Sequence, residues 1–164
     1  MKFFICGFTG AGKSTVLNQL KTTDLAESFQ ISDLDQMVLE KLPGFTSIAD
    51  FIIKKGFDEF RKLEYQNLVK ISKLDHQIVA LGGGAFNSLT EDVLAGFEGI
   101  WLDTAFNVCW ERISGDESRP IGLLDRNESL SLYNQRVNYF KTAYRASSYS
   151  EIYNYILKQL GNFT

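Results

Sequence analysis

The run Gly7-Phe8-Thr9-Gly10-Ala11-Gly12-Lys13-Ser14-Thr15 decides how the rest of the chain is read. It follows the short apolar segment Lys2–Cys6, which reads as a buried strand, and precedes a segment whose apolar stripe is Val16, Leu17 and Leu20, spaced as on a helix. Gly7-x-x-x-x-Gly12-Lys13-Ser14 fits the phosphate-binding loop between a strand and a helix. Glycine allows the backbone to wrap phosphate oxygens with its amides inward, and the helix that follows turns its positive end toward them. Gly10, Ala11, Gly12, Lys13, Ser14 and Thr15 are therefore the expected nucleotide-phosphate contacts. Lys13 supplies a point charge and Ser14 a hydroxyl for Mg²⁺.

Working outward, apolar runs alternate with helical patterns. Strands are expected at Lys2–Cys6, in Ser28–Asp33, at Gln77–Leu81 and at Gly99–Asp103. Helices are expected after the glycine loop, over 34–42 and 47–56, over 57–74 with Phe60, Leu63, Leu68 and Ile71 facing inward, over 105–113, over 130–144 and over 150–160. Ser47 reads as an N-cap, and Pro43-Gly44 and Gly56 as helix stops. Strands separated by helices imply a three-layer α/β/α domain with a parallel sheet. Residues 1–164 read as one domain, without repeats or long linkers. The loop at 114–126 is long enough to be a lid.

Composition narrows the function. Apolar residues make up 45% and charged residues 23% of 164 residues, and the net charge is −3. This is a soluble globular composition without the basic field of a nucleic-acid binder. Cys6 and Cys109 are far apart and read as buried thiols of a reducing compartment, with no disulfide expected. The N-terminal apolar run is too short for a signal peptide, and no apolar stretch is long enough to span a membrane, so the expectation is a cytoplasmic protein.

The loop does not by itself separate a kinase from a GTPase. The nearest approach to a guanine-reading motif, Ser72-Lys73-Leu74-Asp75, ends a helix and precedes a strand, and no D-x-x-G occurs. Asp33 and Asp35 end the second strand. If the strand runs through both, they point the same way, one toward Mg²⁺ and the other toward an acceptor hydroxyl; the plainer alternative is a helix cap beside a solvated charge. Arg61 and Glu64 share a helix face, so Glu64 either holds the guanidinium or forms a surface ion pair. Gly82-Gly83-Gly84 at a strand's carboxyl end leaves room for a ligand against the backbone. Arg119 in the 114–126 loop can reach a transferring phosphoryl group. His76 reads as a surface residue, and Trp101 and Trp110 as core or core edge.

The glycine loop, Asp33-x-Asp35, "SIADF" with Gly56 and "FRKLE", the triple glycine, Arg119-Pro120, and Arg136-x-x-Tyr139 followed by Ala143 come in an order and spacing that resembles shikimate kinase over residues 1–143. The resemblance implies a P-loop kinase of the nucleoside-monophosphate-kinase type with a five-stranded parallel sheet in order 2-3-1-4-5. It implies transfer of the ATP γ-phosphoryl group to the 3-hydroxyl of shikimate. In that pattern Asp35, Arg61, Gly83, Gly84 and Arg136 bind shikimate within a subregion at 33–62. Asp35, Lys13 and Arg119 are catalytic, Arg112 and Arg119 join the ATP site, Ser14 and Asp33 serve Mg²⁺, and the protein acts as a monomer. The other readings are a gluconate- or nucleotide-kinase-like enzyme and an inactive ligand-binding relative. This chain departs from the family pattern at Ile52, at Phe57, at Gly122, which is expected to loosen the lid, and after Ala143, where a shortened segment implies a stub of a fifth strand and a rebuilt adenine contact.

Overall fold

The computed structural model describes residues 1–161. Five parallel strands, β1 (Lys2–Cys6), β2 (Gln30–Asp33), β3 (Gln77–Ala80), β4 (Glu98–Leu102) and β5 (Tyr144–Ala146), form one sheet in the order β2-β3-β1-β4-β5. Helices cover both faces: α1 (Lys13–Leu20), α2 (Leu25–Ser28), α3 (Leu34–Leu39), α4 (Ile48–Lys55), α5 (Phe57–Ser72), α6 (Glu91–Leu94), α7 (Phe106–Ile113), α8 (Arg126–Phe140) and α9 (Tyr149–Gly161). The expected topology is present, and β5 is indeed a three-residue stub.

The central strands are apolar on both faces, as a doubly covered parallel sheet requires. Phe3, Ile5, Ile78, Val79, Ala80 and Ile100 are completely buried. Phe3 pairs with Ile78 and Phe4 with Gly99 across the β1 neighbours. Gly99 is needed there, because a Cβ at that position would lie 3.0 Å from the Ala143 methyl and closer still to the Phe4 ring. A second, smaller core of Val38, Leu42, Phe51 and Phe60 joins α3, α4 and α5 into the flap beside β2. Trp101 is buried against Phe140, and Trp110 is stacked on Phe106 at the core edge. Cys6 and Cys109 are free and buried, and burial pushes the Cys6 thiol up to about 12. His76 is exposed, at φ 54°.

Several local readings shift. The helix expected over 34–42 stops at Leu39 and gives way to turns through Leu42. The short helices α2 and α6 were too brief to show a period. The largest shift is at α8, which begins at Arg126 and ends at Phe140, so the helix starts four residues ahead of the expected 130 and Tyr144 belongs to β5. The cause is a capping box. Asp125 Oδ1 accepts from the amides of Asn127 (2.8 Å) and Glu128 (2.9 Å), and Glu128 Oε2 accepts from the Asp125 amide (3.0 Å). Asp125→Ala should therefore lower stability by about 1 kcal/mol, read as a lower urea midpoint at an unchanged slope.

Candidate active site

Three segments expected to carry chemistry lie at the carboxyl edge of the sheet, the glycine loop after β1, Asp33 closing β2 and the triple glycine after β3, and Asp103 after β4 and Ser147 after β5 extend that edge. This is where open parallel sheets bind ligands.

The loop has the shape its glycines permit. Gly10 and Gly12 have φ of +84° and +103°, conformations that L side chains rarely adopt, and a Cβ on Gly10 would lie 2.8 Å from Cys109 O and from Ile113 Cγ2. Lys13 Nζ donates to the carbonyls of Gly7 (2.7 Å) and Phe8 (3.0 Å). Burial pulls its pKa down, and the Asp35 carboxylate chiefly opposes that shift. Thr104 Oγ1 donates to Ala11 O (2.9 Å) and Arg112 donates to Gly10 O (2.9 Å), pinning the loop to β4 and α7. A cleft of about 640 Å³ runs along this loop, and its lining includes Asp33, Asp35, Arg112, Arg119 and Ser147–Tyr149. Its size is that of a small-molecule pocket.

The two aspartates do not lie on one extended strand. The strand stops at Asp33, which caps α3: its Oδ1 accepts from the amides of Asp35 (3.0 Å) and Gln36 (3.4 Å). Its other oxygen accepts from Ser14 Oγ at 2.9 Å. The capping and metal readings of Asp33 are thus compatible, since the cap holds the carboxylate against the loop hydroxyl. Asp35, in the first turn of α3, is turned into the site. Burial pushes its pKa up, the Asp33 charge adds to that, and Lys13, Arg119 and Arg61 oppose it.

Beyond Asp35 a second, narrower cavity opens, walled by Ile48, Ile52, Phe57, Phe60 and Ile121, with Arg61, Glu64 and Arg136 turned into it. Thr9, Asp35 and Gly83 line both cavities and form their junction. Arg61 pairs with Glu64, and its guanidinium lies over the rings of Phe57 (5.1 Å) and Phe60 (5.5 Å). Arg136 lies over the Phe8 ring at 5.5 Å. Burial and the nearby Arg61 pull the Arg136 guanidinium down to about 10, so it remains charged at neutral pH. One of its nitrogens, Nη1, is buried with no hydrogen-bond partner, as is Glu64 Oε1.

The Arg61–Glu64 pair is therefore no surface bridge: Glu64 is 2% exposed. Asn67, one turn on, is also buried and receives a hydrogen bond from Lys41. The expected inward stripe of α5 had assigned only apolar residues to that face. The triple glycine explains how so many side chains fit. A Cβ on Gly82 would collide with Asp35 and lie 2.8 Å from Glu64 Oε1; on Gly83 it would collide with Thr9; on Gly84 it would collide with Arg61 and lie 2.7 Å from Arg136.

Thr9 and the rings under the arginines lie outside the sequence reading, and nothing in the sequence marks them. Of the two readings that the i, i+3 spacing of Arg61 and Glu64 left open, the pair is the buried one that holds the guanidinium. Arg119 lines the cleft but its Nε donates to Asp116 (3.0 Å), and it is half-exposed. Gly122 does not loosen the 114–126 loop. It is buried in a 3₁₀ turn, Pro120–Leu123, where a Cβ would lie 2.8 Å from Ile113 O, so its absence of a side chain lets the loop pack down.

Known proteins are similar to this chain in sequence and in fold. The family model for shikimate kinase matches residues 9–161. A shikimate kinase of Lactococcus lactis subsp. lactis is 35% identical over 148 residues, 87% of this chain and 85% of that protein. One from Persephonella marina is 33% identical over 143 residues, 85% of this chain and 84% of that protein. The crystal structure of shikimate kinase from Aquifex aeolicus superimposes with a TM-score of 0.80 at 26% identity, covering 98% of this chain and 96% of that one. The fold, at 12% identity and a TM-score of 0.61, extends to a deoxyadenosine kinase from M. mycoides with bound dATP. With a family model spanning nearly the whole chain and relatives alike over most of their length, this chain belongs to the shikimate kinase family.

Proposed function

We propose that this protein transfers the γ-phosphoryl group of ATP to the 3-hydroxyl of shikimate, giving shikimate 3-phosphate and ADP. The observation that carries the reading is the junction at Asp35. One carboxylate lies between a phosphate-binding cleft and a cavity that presents two arginines, Arg61 and Arg136, to whatever fills it. A ligand with a carboxylate at one end and hydroxyls at the other suits that cavity. Its carboxylate meets the arginines, its hydroxyls meet Asp35, and Gly83 and Gly84 offer backbone contacts. A shikimate kinase from Acinetobacter baumannii, of the same fold (TM-score 0.80), has been solved in complex with shikimate.

In this reading the loop amides, Lys13 and Thr15 hold the ATP phosphates, and Arg112 lies beside the base end of the cleft. Lys13 leaves its two carbonyl partners to meet the β and γ phosphates. The acceptor 3-oxygen forms a bond to the γ-phosphorus as the bond to the β-phosphate oxygen breaks. The hydroxyl proton passes to Asp35, whose raised pKa makes it a better base than an exposed aspartate. Arg119 exchanges Asp116 for the transferring group and stabilises its charge. Residues 114–126 then act as a lid, and 33–62 form the acceptor-binding flap.

Ser14 and Asp33 fit Mg²⁺. The hydroxyl and carboxylate are hard oxygen donors already 2.9 Å apart at the loop. Among the described residues no group of three or more His, Cys, Asp or Glu side chains is placed to hold a metal, so a cation here would complete its shell with phosphate oxygens and water. When bound, Mg²⁺ neutralises phosphate charge. Among the described residues no helix is long and apolar enough to cross a membrane.

Three measurements test this. ADP release from Mg·ATP should be strongly stimulated by shikimate and by neither gluconate nor nucleoside monophosphates; stimulation by one of those instead would reassign the acceptor. Arg136→Ala should weaken shikimate binding about ten- to a hundredfold, the worth of a lost charge-assisted contact, and leave ATP binding unchanged. Equal losses for both ligands would remove Arg136 from the acceptor site. Asp35→Asn should lower kcat about a hundredfold or more with the urea midpoint preserved, whereas a retained rate would show that Asp35 is not the base.

A further inference from the structure

The acceptor cavity holds one acid more than its expected ligand needs. Glu64 is 2% exposed, and it faces the same cavity as both arginines. Its Oε2 is bonded to Arg61, while its Oε1 is buried without a partner. The charged groups around it are Arg61 on its own helix, Asp35 on α3 and Arg136 on α8. Two cations and two carboxylates leave the empty cavity near neutral. A ligand carboxylate brings in a third negative charge beside two arginines and in a low-dielectric setting, where an unbalanced charge is costly.

We propose that Glu64 is a positioning residue whose carboxylate takes up a proton when the substrate carboxylate binds, so that acceptor binding is coupled to proton uptake. Deprotonated, Glu64 holds Arg61 in place and competes with the ligand for it. Protonated, it keeps its place against Arg61, frees that cation's charge for the substrate, and restores neutrality. Its unpartnered oxygen is free to carry the proton. Burial, outweighing the opposing Arg61 charge, pushes the Glu64 carboxyl up to about 7, so the proton is available under ordinary conditions. The sign follows: the protonated form is the binding-competent one, so affinity is full below that value and falls as pH rises through it. This inference rests on shikimate, or a carboxylate of its kind, being the acceptor.

The test is calorimetric titration of the whole protein with shikimate at pH 6.5 to 8.5, in buffers of differing ionisation enthalpy. At full coupling, uptake at pH 8 should approach roughly nine-tenths of a proton per shikimate, and the Kd should rise about fivefold between pH 7 and 8. Glu64→Gln keeps the shape and a hydrogen-bonding partner for Arg61 but cannot titrate. It should bind shikimate with no linked proton and a flat pH profile, which a purely structural role for Glu64 would not produce. Binding by the native protein without proton uptake, or with the same uptake in Glu64→Gln, would overturn the inference while leaving the acceptor assignment intact. Failure of shikimate to bind the native protein at any pH would instead overturn the acceptor assignment, and this inference with it.

Discussion

Charged side chains can converge beside Gly82–Gly84 only because that stretch of backbone has no side chains of its own. Asp35 and Glu64 crowd the first position, Thr9 the second, and Arg61 and Arg136 the third. These groups come from the loop after β1 and from α3, α5 and α8, so the strand end of β3 is the point on which four separate parts of the chain close. A methyl group at any of the three positions would push apart groups whose electrostatic balance depends on being close. The site's charge pattern is therefore set by backbone bulk as much as by the charges themselves.

The same economy recurs at the phosphate end. Ser14 is the second residue of α1 and Asp33 the cap of α3, and one hydrogen bond between them ties two helix starts together. The amides that open α1 have no side-chain cap and suit anions, while those of Asp35 and Gln36 at the start of α3 are taken up by Asp33. Lys13 and Asp35 each lose solvation on burial, and each is the other's largest compensation. Phosphoryl transfer asks a protein mainly for positioning and for fixed charge in a partly dry setting, and that is what this edge of the sheet supplies.

Much of this was legible in the sequence. The glycine loop is recognisable because its backbone geometry restricts the residue types it accepts. The parallel sheet is recognisable because both faces of its strands are apolar. Ser47 and Gly56 could be read as helix boundaries because caps are local chemistry. The α8 start was missed for the opposite reason: Asp125 and Glu128 form a cap in a stretch whose Ser, Gly and Pro content reads as loop, and only the reciprocal hydrogen bonds distinguish the two. Phe57 looked like a departure from the family pattern, and in the folded chain it lies under the Arg61 guanidinium.

By itself, then, the sequence determined the fold class, the strand order through family resemblance, the phosphate loop, and the identities of Asp33, Asp35, Arg61, Arg119 and Arg136 as the residues to watch. Tertiary structure alone decided their relations. It showed that Asp33 caps a helix while meeting Ser14, that Asp35 stands at the junction of two cavities, that Gly122 packs a loop down, and that Glu64 is buried with one oxygen unpaired. The reason is physical. Periodicity and capping act over a few residues and leave a mark in the chain. Desolvation and charge pairing depend on which distant segments close over a group, and an i, i+3 ion pair reads the same in sequence whether it faces water or the core.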